Sequence, residues 1–185
     1  MRHIRLMTTL LVLAMAAGTF LIANNAGAAN TTQINHDAKI ALQKLYAESS
    51  KARAMGEKAE SILVFPSIAK GGFMVGGQYG EGVLMKEGKT IDYYNTISLS
   101  YGLQAGIQKY GYALFFMSYS ARKYLDKSDG WEIGTGPSIV IIDTGAATGL
   151  STTSVQSDVY AFFFDQKGLM AGLGLQGTKI TRISK

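Results

Sequence analysis

The first regular pattern in the chain is helical and runs from Asn35 to about Lys58. Small and apolar residues recur at spacings of three and four, which places them on one face of an α-helix. That face consists of Ala38, Ala41, Leu42, Leu45, Tyr46, Ser49 and Ala52. Lysines occupy other positions around it, namely Lys39, Lys44 and Lys51. We predict an amphipathic helix that is capped at Asn35 or Asp37 and ends or is interrupted at Gly56.

After this segment the pattern becomes that of β-strands. Residues 61–68 form a short apolar run, and Pro66 lacks an N–H, which predicts a sheet edge or a strand end there. Glu87-Gly88 predicts a tight turn between two strands. The runs YALFFM (112–117) and YAFFF (160–164) are apolar without alternation, so we predict strands that are covered on both faces.

Glycines recur two residues apart along these strand-like segments. The pairs are Gly80 and Gly82, Gly134 and Gly136, and Gly172 and Gly174. Residues two apart on a strand share a face, so each pair indicates a bulge, strong coiling, or close approach by another backbone or a ligand. The predicted fold class is therefore α+β, with an N-terminal helical segment packed on a strongly coiled, mainly antiparallel, glycine-rich sheet or partial barrel.

The N-terminus has the pattern of a secretory signal peptide. A basic start is followed by an apolar stretch and by Ala26-Gly27-Ala28, an A-x-A cleavage site. We expect a signal peptide at 1–28, a single domain at 29–185, and export to the periplasm or the exterior, where the domain could lie peripherally on an envelope membrane. Removal of the predicted signal peptide would take Arg2 and Arg5 from the net charge of +5 and leave +3, a mild basic excess that favours anionic surfaces. The basic residues are scattered, which does not favour nucleic acid as a partner.

Motifs for catalysis fail on inspection. The G-x-G-x-x-G pattern at 172–177 is followed by too few residues for a dinucleotide-binding unit. Asp143-Thr144-Gly145 is a single copy where aspartic proteases need two carboxylates. There is no cysteine, and one histidine lies outside the predicted signal peptide. We predict no enzymatic activity, no cofactor and no metal site. Trp131 follows a turn and is predicted to be a core anchor.

Long ordered blocks resemble the SYLF domain family in its bacterial secreted branch. They include ILVFPSIAKGGFMVGGQYGEGVL, YYNTISLSYGLQAGIQ, SDGWEIGTGPSIVIID and DVYAFFFDQKGLMAGLGLQGTKITRI, and the resemblance extends from about Ala38 to Ile183. It implies lipid binding, with phosphoinositides as ligands of eukaryotic members and actin filaments as partners of some yeast-type members. Lipid binding in the family is attributed to an amphipathic N-terminal segment and basic surface residues, which here points to Lys39, Leu42, Lys44, Leu45 and Lys51.

These features support three hypotheses. The first is an exported domain that associates with lipid or an anionic membrane surface and catalyses nothing. On a continuous helix Lys44 and Lys51 share a face, and Arg122 and Lys123 on a second short helix offer another basic surface. The second is an integral outer-membrane β-barrel. The third is an interaction module for an envelope protein. An internal cavity lined by glycine pairs is an alternative place for an acyl chain.

Overall fold

The strands form one mainly antiparallel sheet, seen in a computed structural model that describes residues 31–73, 75–101, 106–127, 129–143, 157–167, 175 and 177–185. The strands are β1 (Ser61–Phe73), β2 (Val75–Lys86), β3 (Lys89–Tyr101), β4 (Gly106–Phe116), β5 (Trp131–Glu132), β6 (Ile139–Asp143), β7 (Val159–Lys167) and β8 (Lys179–Arg182). Their order across the sheet is β5-β8-β3-β2-β1-β4-β7-β6. Every described pair is antiparallel except β6 with β7.

The helices precede the sheet and interrupt it once. They are α1 (Thr31–Glu48), α2 (Ser50–Gly56), α3 (Tyr119–Arg122) and a 3₁₀ turn (Lys123–Asp126). The predicted signal peptide and the glycines at 172 and 174 lie outside the described residues.

The sheet curls strongly into a half-barrel, as the sequence predicted. Trp131 in the edge strand β5 packs against Phe116 in β4, with ring centroids 6.0 Å apart. These strands are five positions apart in the sheet. At about 4.8 Å per strand, a flat sheet would separate them by about 24 Å. The curl therefore brings the two rings together, and Trp131 is fully buried as the predicted core anchor.

Two cores lie on opposite faces of the sheet. The inner core fills the concave side and includes Tyr112, Leu114 and Phe116. The outer core lies under α1 and includes Ala113 and Phe115, which alternate with them along β4. Strand β7 divides its apolar side chains in the same way. The prediction that both continuous apolar runs are covered on two faces is confirmed.

Helix α1 packs on the outer face through a stripe of Ile34, Ala38, Ala41 and Leu45. The helix begins at Thr31, earlier than the predicted cap. Asn35 does not cap it, because the Asn35 amide donates to the Tyr93 hydroxyl and accepts from that of Thr90, both on β3. At the other end of α1, Lys44 contacts Asp165 in β7. The helix therefore lies across the strands from β3 to β7.

The predicted single helix is broken at Ser49. Its backbone is extended, with φ −134° and ψ 103°, and its hydroxyl accepts from the Ala52 N–H at 3.1 Å. An N-cap with this geometry starts a new helix. The helical segment ends at Gly56, as predicted.

The prediction that Pro66 marks an edge or a strand end is wrong. Strand β1 is central and continues to Phe73. Pro66 lies in a bulge, since the register shifts between Val64 and Ser67 on the β2 side and between Phe65 and Ile68 on the β4 side. A bulged residue needs no ladder hydrogen bond, so proline is tolerated there.

The bulge also explains one glycine pair. A Cβ on Gly82 would lie 2.5 Å from Phe65 Cδ1, and one on Gly80 would lie 2.9 Å from the Ser67 carbonyl oxygen. Close approach by β1 is thus the reason for this pair, as predicted. Gly134 and Gly136 instead have φ of 109° and 95° in the β5–β6 connection, so the prediction of a strand is wrong for them. The turn predicted at Glu87-Gly88 is confirmed, with positive φ at both residues.

Candidate functional site

The basic positions predicted on the N-terminal helix do not form one surface. Lys44 belongs to α1 and Lys51 to α2, so the break at Ser49 removes the continuous helix on which their shared face depended. Lys39 is exposed, whereas Lys51 is half-buried. Lys44 contacts Asp165 and lies 3.9 Å from Glu48. The hydrogen bond to Asp165 raises the pKa of the Lys44 ammonium. The charge of Lys44 is therefore largely compensated within the protein.

The two leucines predicted for lipid contact have different environments. Leu45 is fully buried in the outer core, so packing accounts for it and its side chain does not reach a surface. Leu42 is half-buried at the margin of the same core. Leu45 is therefore corrected from a contact residue to a core residue.

Arg122 and Lys123 lie beside an exposed tyrosine. The guanidinium carbon of Arg122 lies 5.0 Å and the Lys123 Nζ 5.7 Å from the ring centroid of Tyr119. Arg122 is only 17 % exposed, and it makes ion pairs with Glu60 at 3.8 Å and with Asp126 at 3.6 Å. Arg122 thus ties α3 to the start of β1, while Lys123 is exposed.

The structure reveals a surface that the sequence reasoning missed. Helix α1 covers the outer face only near the ends of β1–β4 that carry Ser61, Met85 and Phe116. We call the other ends of these strands the distal half. Its outer face exposes four large apolar side chains, which we call the outer patch: Tyr79, Ile97, Leu99 and Ile107.

The strand register shows that the outer patch is continuous. Tyr79 pairs with Ile97 on β3 and with Ala69 on β1. One row further along, Leu99 and Ile107 lie at the two ends of a row whose middle positions are glycines at 77 and 71. Paired residues place their side chains on the same face. The outer patch is therefore one apolar surface with a shallow groove over the two glycines.

Lysines flank this surface on both sides. Lys109 pairs with Ala69 and Lys179 pairs with Ile97, so both belong to the row of Tyr79. Both lysines are exposed. Four strand spacings separate them, or about 19 Å along the sheet. The outer patch thus combines apolar side chains with a cation at each side.

Tyr79 keeps its polar end attached to the protein. Its hydroxyl donates to Glu81 Oε1 at 2.9 Å. Partial burial, together with this hydrogen bond to Glu81, raises the pKa of Tyr79 to about 12. The phenol therefore remains neutral at physiological pH.

In the distal half, polar side chains face inward and apolar side chains face outward. This is the reverse of the alternation in a sheet whose outer face meets water. Thr96 is fully buried on the inner face, whereas Ile97 is 44 % exposed on the outer face. Likewise Gln108 is 2 % exposed and its neighbour Ile107 is 87 % exposed. Exposed contiguous apolar patches mark protein or membrane interaction sites. The signal was present in the sequence TISLS, but the sequence pattern alone does not show which side faces outward.

In the part of the chain that the structure describes, no helix is both long and apolar enough to cross a bilayer.

Comparison with known proteins identifies the class. No curated protein matches the chain. Residues 97–185 match the family model described as Ysc84, Las17-binding protein actin regulator. These residues, just under half of the chain, are similar to a family of non-enzymatic binding domains. The family is that of the SYLF domain, so the identification made from the sequence is confirmed over these residues.

Proposed function

We propose that this protein is an exported binding module that associates peripherally with an anionic lipid surface and catalyses nothing. The outer patch would contact the apolar boundary of the bilayer, and Lys109 and Lys179 would contact the headgroups. The observation that carries this proposal is the reversed alternation of the distal half, with Ile107 87 % exposed beside the buried Gln108.

Energetics favour a lipid surface as the occupant of the outer patch. Burying an aliphatic side chain contributes about 1.5–3 kcal/mol relative to leaving it in water. A lysine near an anionic membrane surface adds about 1 kcal/mol, which salt screens. An apolar patch with a cation on each side matches a bilayer, which presents headgroup charge beside hydrocarbon.

The lysines predicted from the sequence have a lesser part in this proposal. Lys39 and Lys123 are exposed and could contact headgroups at other orientations of the domain. Lys44 is already paired with Asp165, so its contribution should be small.

Vesicle co-sedimentation tests the electrostatic part. The protein, purified as its host produces it, is mixed with neutral phosphatidylcholine or anionic phosphatidylglycerol vesicles at low salt. A variant with Lys109→Gln and Lys179→Gln should bind the anionic vesicles roughly 30-fold more weakly, because it loses about 2 kcal/mol. The matched control combines Lys58→Gln with Lys89→Gln, which removes the same charge from two exposed lysines outside the outer patch.

Two results would refute the lipid proposal. One is failure of the parent protein to bind either vesicle at low salt, where attraction is strongest. The other is an equal loss of binding in the control variant, which would show a general charge effect without a defined surface.

A protein partner is the second candidate, since the matching family is described as Las17-binding and as an actin regulator. For this chain we would then expect an envelope protein to occupy the outer patch. Capture of that protein in detergent, where vesicles are absent, would favour this candidate, provided that capture is lost when the outer patch is changed.

A further inference from the structure

A cleft opens beside strand β6, at one edge of the half-barrel. We call it the edge cleft. It is lined by the β5–β6 connection, by Ile139 and Ile141 of β6, and by Leu175. Ile139 and Ile141 are two residues apart on the strand and share a face, and Ile139 packs against the inner core. The edge cleft has a volume of about 370 Å³, within the range of about 300–1,000 Å³ that small-molecule sites occupy.

The wall that the β5–β6 connection forms is held in place by hydrogen bonds. The Ile133 N–H donates to the Thr178 carbonyl at 2.9 Å, and the Ile133 carbonyl accepts from the Gly177 N–H at 3.0 Å. The indole N–H of Trp131 donates to the Thr135 carbonyl at 2.8 Å. A wall fixed in this way is already ordered before a ligand binds, which lowers the entropic cost of binding.

The lining of the edge cleft is uncharged. Of the described residues that form it, none has an ionisable side chain. Ile133 and Leu175 are buried, and Ile141 is 40 % exposed. The hydroxyl of Ser138 is already engaged, since it donates to Asp158 Oδ2 at 2.8 Å. An ionised group on a ligand would lose water here without gaining an opposite charge. The lining therefore matches hydrocarbon.

Two glycines add polar groups to this apolar lining. Gly134 and Gly136, one of the pairs seen in the sequence, both line the edge cleft and are exposed. Without side chains they present only backbone N–H and C=O groups, which can donate to and accept from a hydroxyl. A complementary ligand is thus mainly aliphatic, with an uncharged polar end.

We propose that the edge cleft binds a single aliphatic chain that ends in an uncharged hydroxyl-bearing group. The chain lies against Ile139 and Ile141, and the hydroxyl bonds to the backbone at Gly134 and Gly136. A free small molecule and a membrane lipid share this chemistry. The edge cleft is separate from the outer patch, so the proposal does not rest on association with a lipid surface.

The test uses Trp131 as a reporter, since it is the single tryptophan of the chain and bonds to the wall of the edge cleft. The probe is octanol with a bromine at the end of its chain, because bromine quenches indole fluorescence on close approach. Without vesicles we expect saturable quenching, which plain octanol reverses by competition. Octanoate, of the same length, should compete at least tenfold more weakly at neutral pH, because its carboxylate meets no cation there.

A matched pair of variants tests the position. Ile141→Phe places a larger side chain in the edge cleft and should weaken octanol binding at least tenfold. Ile91→Phe makes the same change on β3 outside it, at a residue of similar exposure (46 %), and should leave binding unchanged. If Ile141→Phe does not fold, the comparison of octanol with octanoate in the parent protein still decides.

Vesicles of neutral phosphatidylcholine with brominated chains distinguish the two sources. Quenching that is lost in Ile141→Phe would show that a lipid chain enters the edge cleft, whereas its absence beside octanol binding would indicate a free small molecule. Three results would overturn the proposal: no saturable quenching by bromo-octanol, competition by octanoate equal to that by octanol, or equal weakening by Ile91→Phe.

Discussion

The apolar contribution of the outer patch can be tested by changing Leu99 and Ile107 to serine together. These side chains are 68 % and 87 % exposed, so most of their apolar surface is free to be buried on binding. Full burial of such side chains contributes about 1.5–3 kcal/mol each, and the exposed fractions reduce this to a total of about 2–5 kcal/mol. Insertion to half that depth leaves about 1–2.5 kcal/mol, which corresponds to vesicle binding weakened roughly 5- to 70-fold.

The assay is co-sedimentation with neutral vesicles, where headgroup attraction contributes least. Serine keeps the net charge, so the loss should persist when salt is raised. Ile91→Ser is the matched control. Ile91 lies on β3 outside the outer patch and is 46 % exposed. The free energy of unfolding of both variants should lie within about 0.5 kcal/mol of the parent's for each substitution, because exposed positions contribute little to folding stability.

Two outcomes would refute this reasoning. If the double variant binds neutral vesicles as well as the parent does, the outer patch does not enter the bilayer. If Ile91→Ser weakens binding as much as the double variant, apolar contact is unspecific and the outer patch has no special role.

Three further predictions concern the fold. Gly82→Ala should lower the free energy of unfolding by about 1–3 kcal/mol because of the close approach by β1. Gly77→Ala should be nearly neutral, since the nearest atom to an added Cβ is 3.8 Å away. Equal losses of stability for the two variants in urea unfolding would contradict this account. Ser49→Ala should cost about 1 kcal/mol through loss of the α2 cap and Ser49→Gly only a few tenths, measured by thermal unfolding, and equal losses would contradict the role of the cap. Hydrogen bonds from the backbone N–H and the hydroxyl of Ser138 lower the pKa of Asp158. The stability that Asp158 contributes is thus complete above its unfolded value of about 3.8 and lost as the pH falls through the lower folded value; an unchanged acid-unfolding profile in Asp158→Asn would contradict this.

The sequence predicted features that depend on local periodicity. The stripe containing Ala38, Ala41 and Leu45 and the apolar run around Phe115 both reflect packing, which fixes the spacing of buried residues. Such spacing indicates an amphipathic helix and a strand covered on two faces. Both predictions are confirmed because no distant residue is needed to interpret them.

Features that depend on distant residues were not predictable in the same way. Pro66 lies in a central strand because a bulge shifts the register with both neighbouring strands. The sequence around Lys44 is typical of an exposed lysine without a partner. In the structure it pairs with Asp165, which lies 121 positions later in the chain. Whether Ile97 or Thr96 faces outward depends on which face of the sheet α1 covers. The hydrophobic pattern of the helix does not show which face that is.

Simple dimensions explain why α1 leaves the distal half uncovered. Strands β1 to β4 have 11 to 13 residues, so at about 3.3 Å per residue they are about 36–43 Å long. A helix with its side chains is about 10–12 Å wide. Because α1 lies across these strands, it can cover only part of their outer face. Helix α1 therefore leaves the distal half uncovered, but this does not require that half to be apolar. Threonine or lysine at positions 97, 99 and 107 would be compatible with a β-strand and would be well solvated. Isoleucine and leucine there, over a polar inner face, require another reason, and the proposed contact with a lipid surface would supply it.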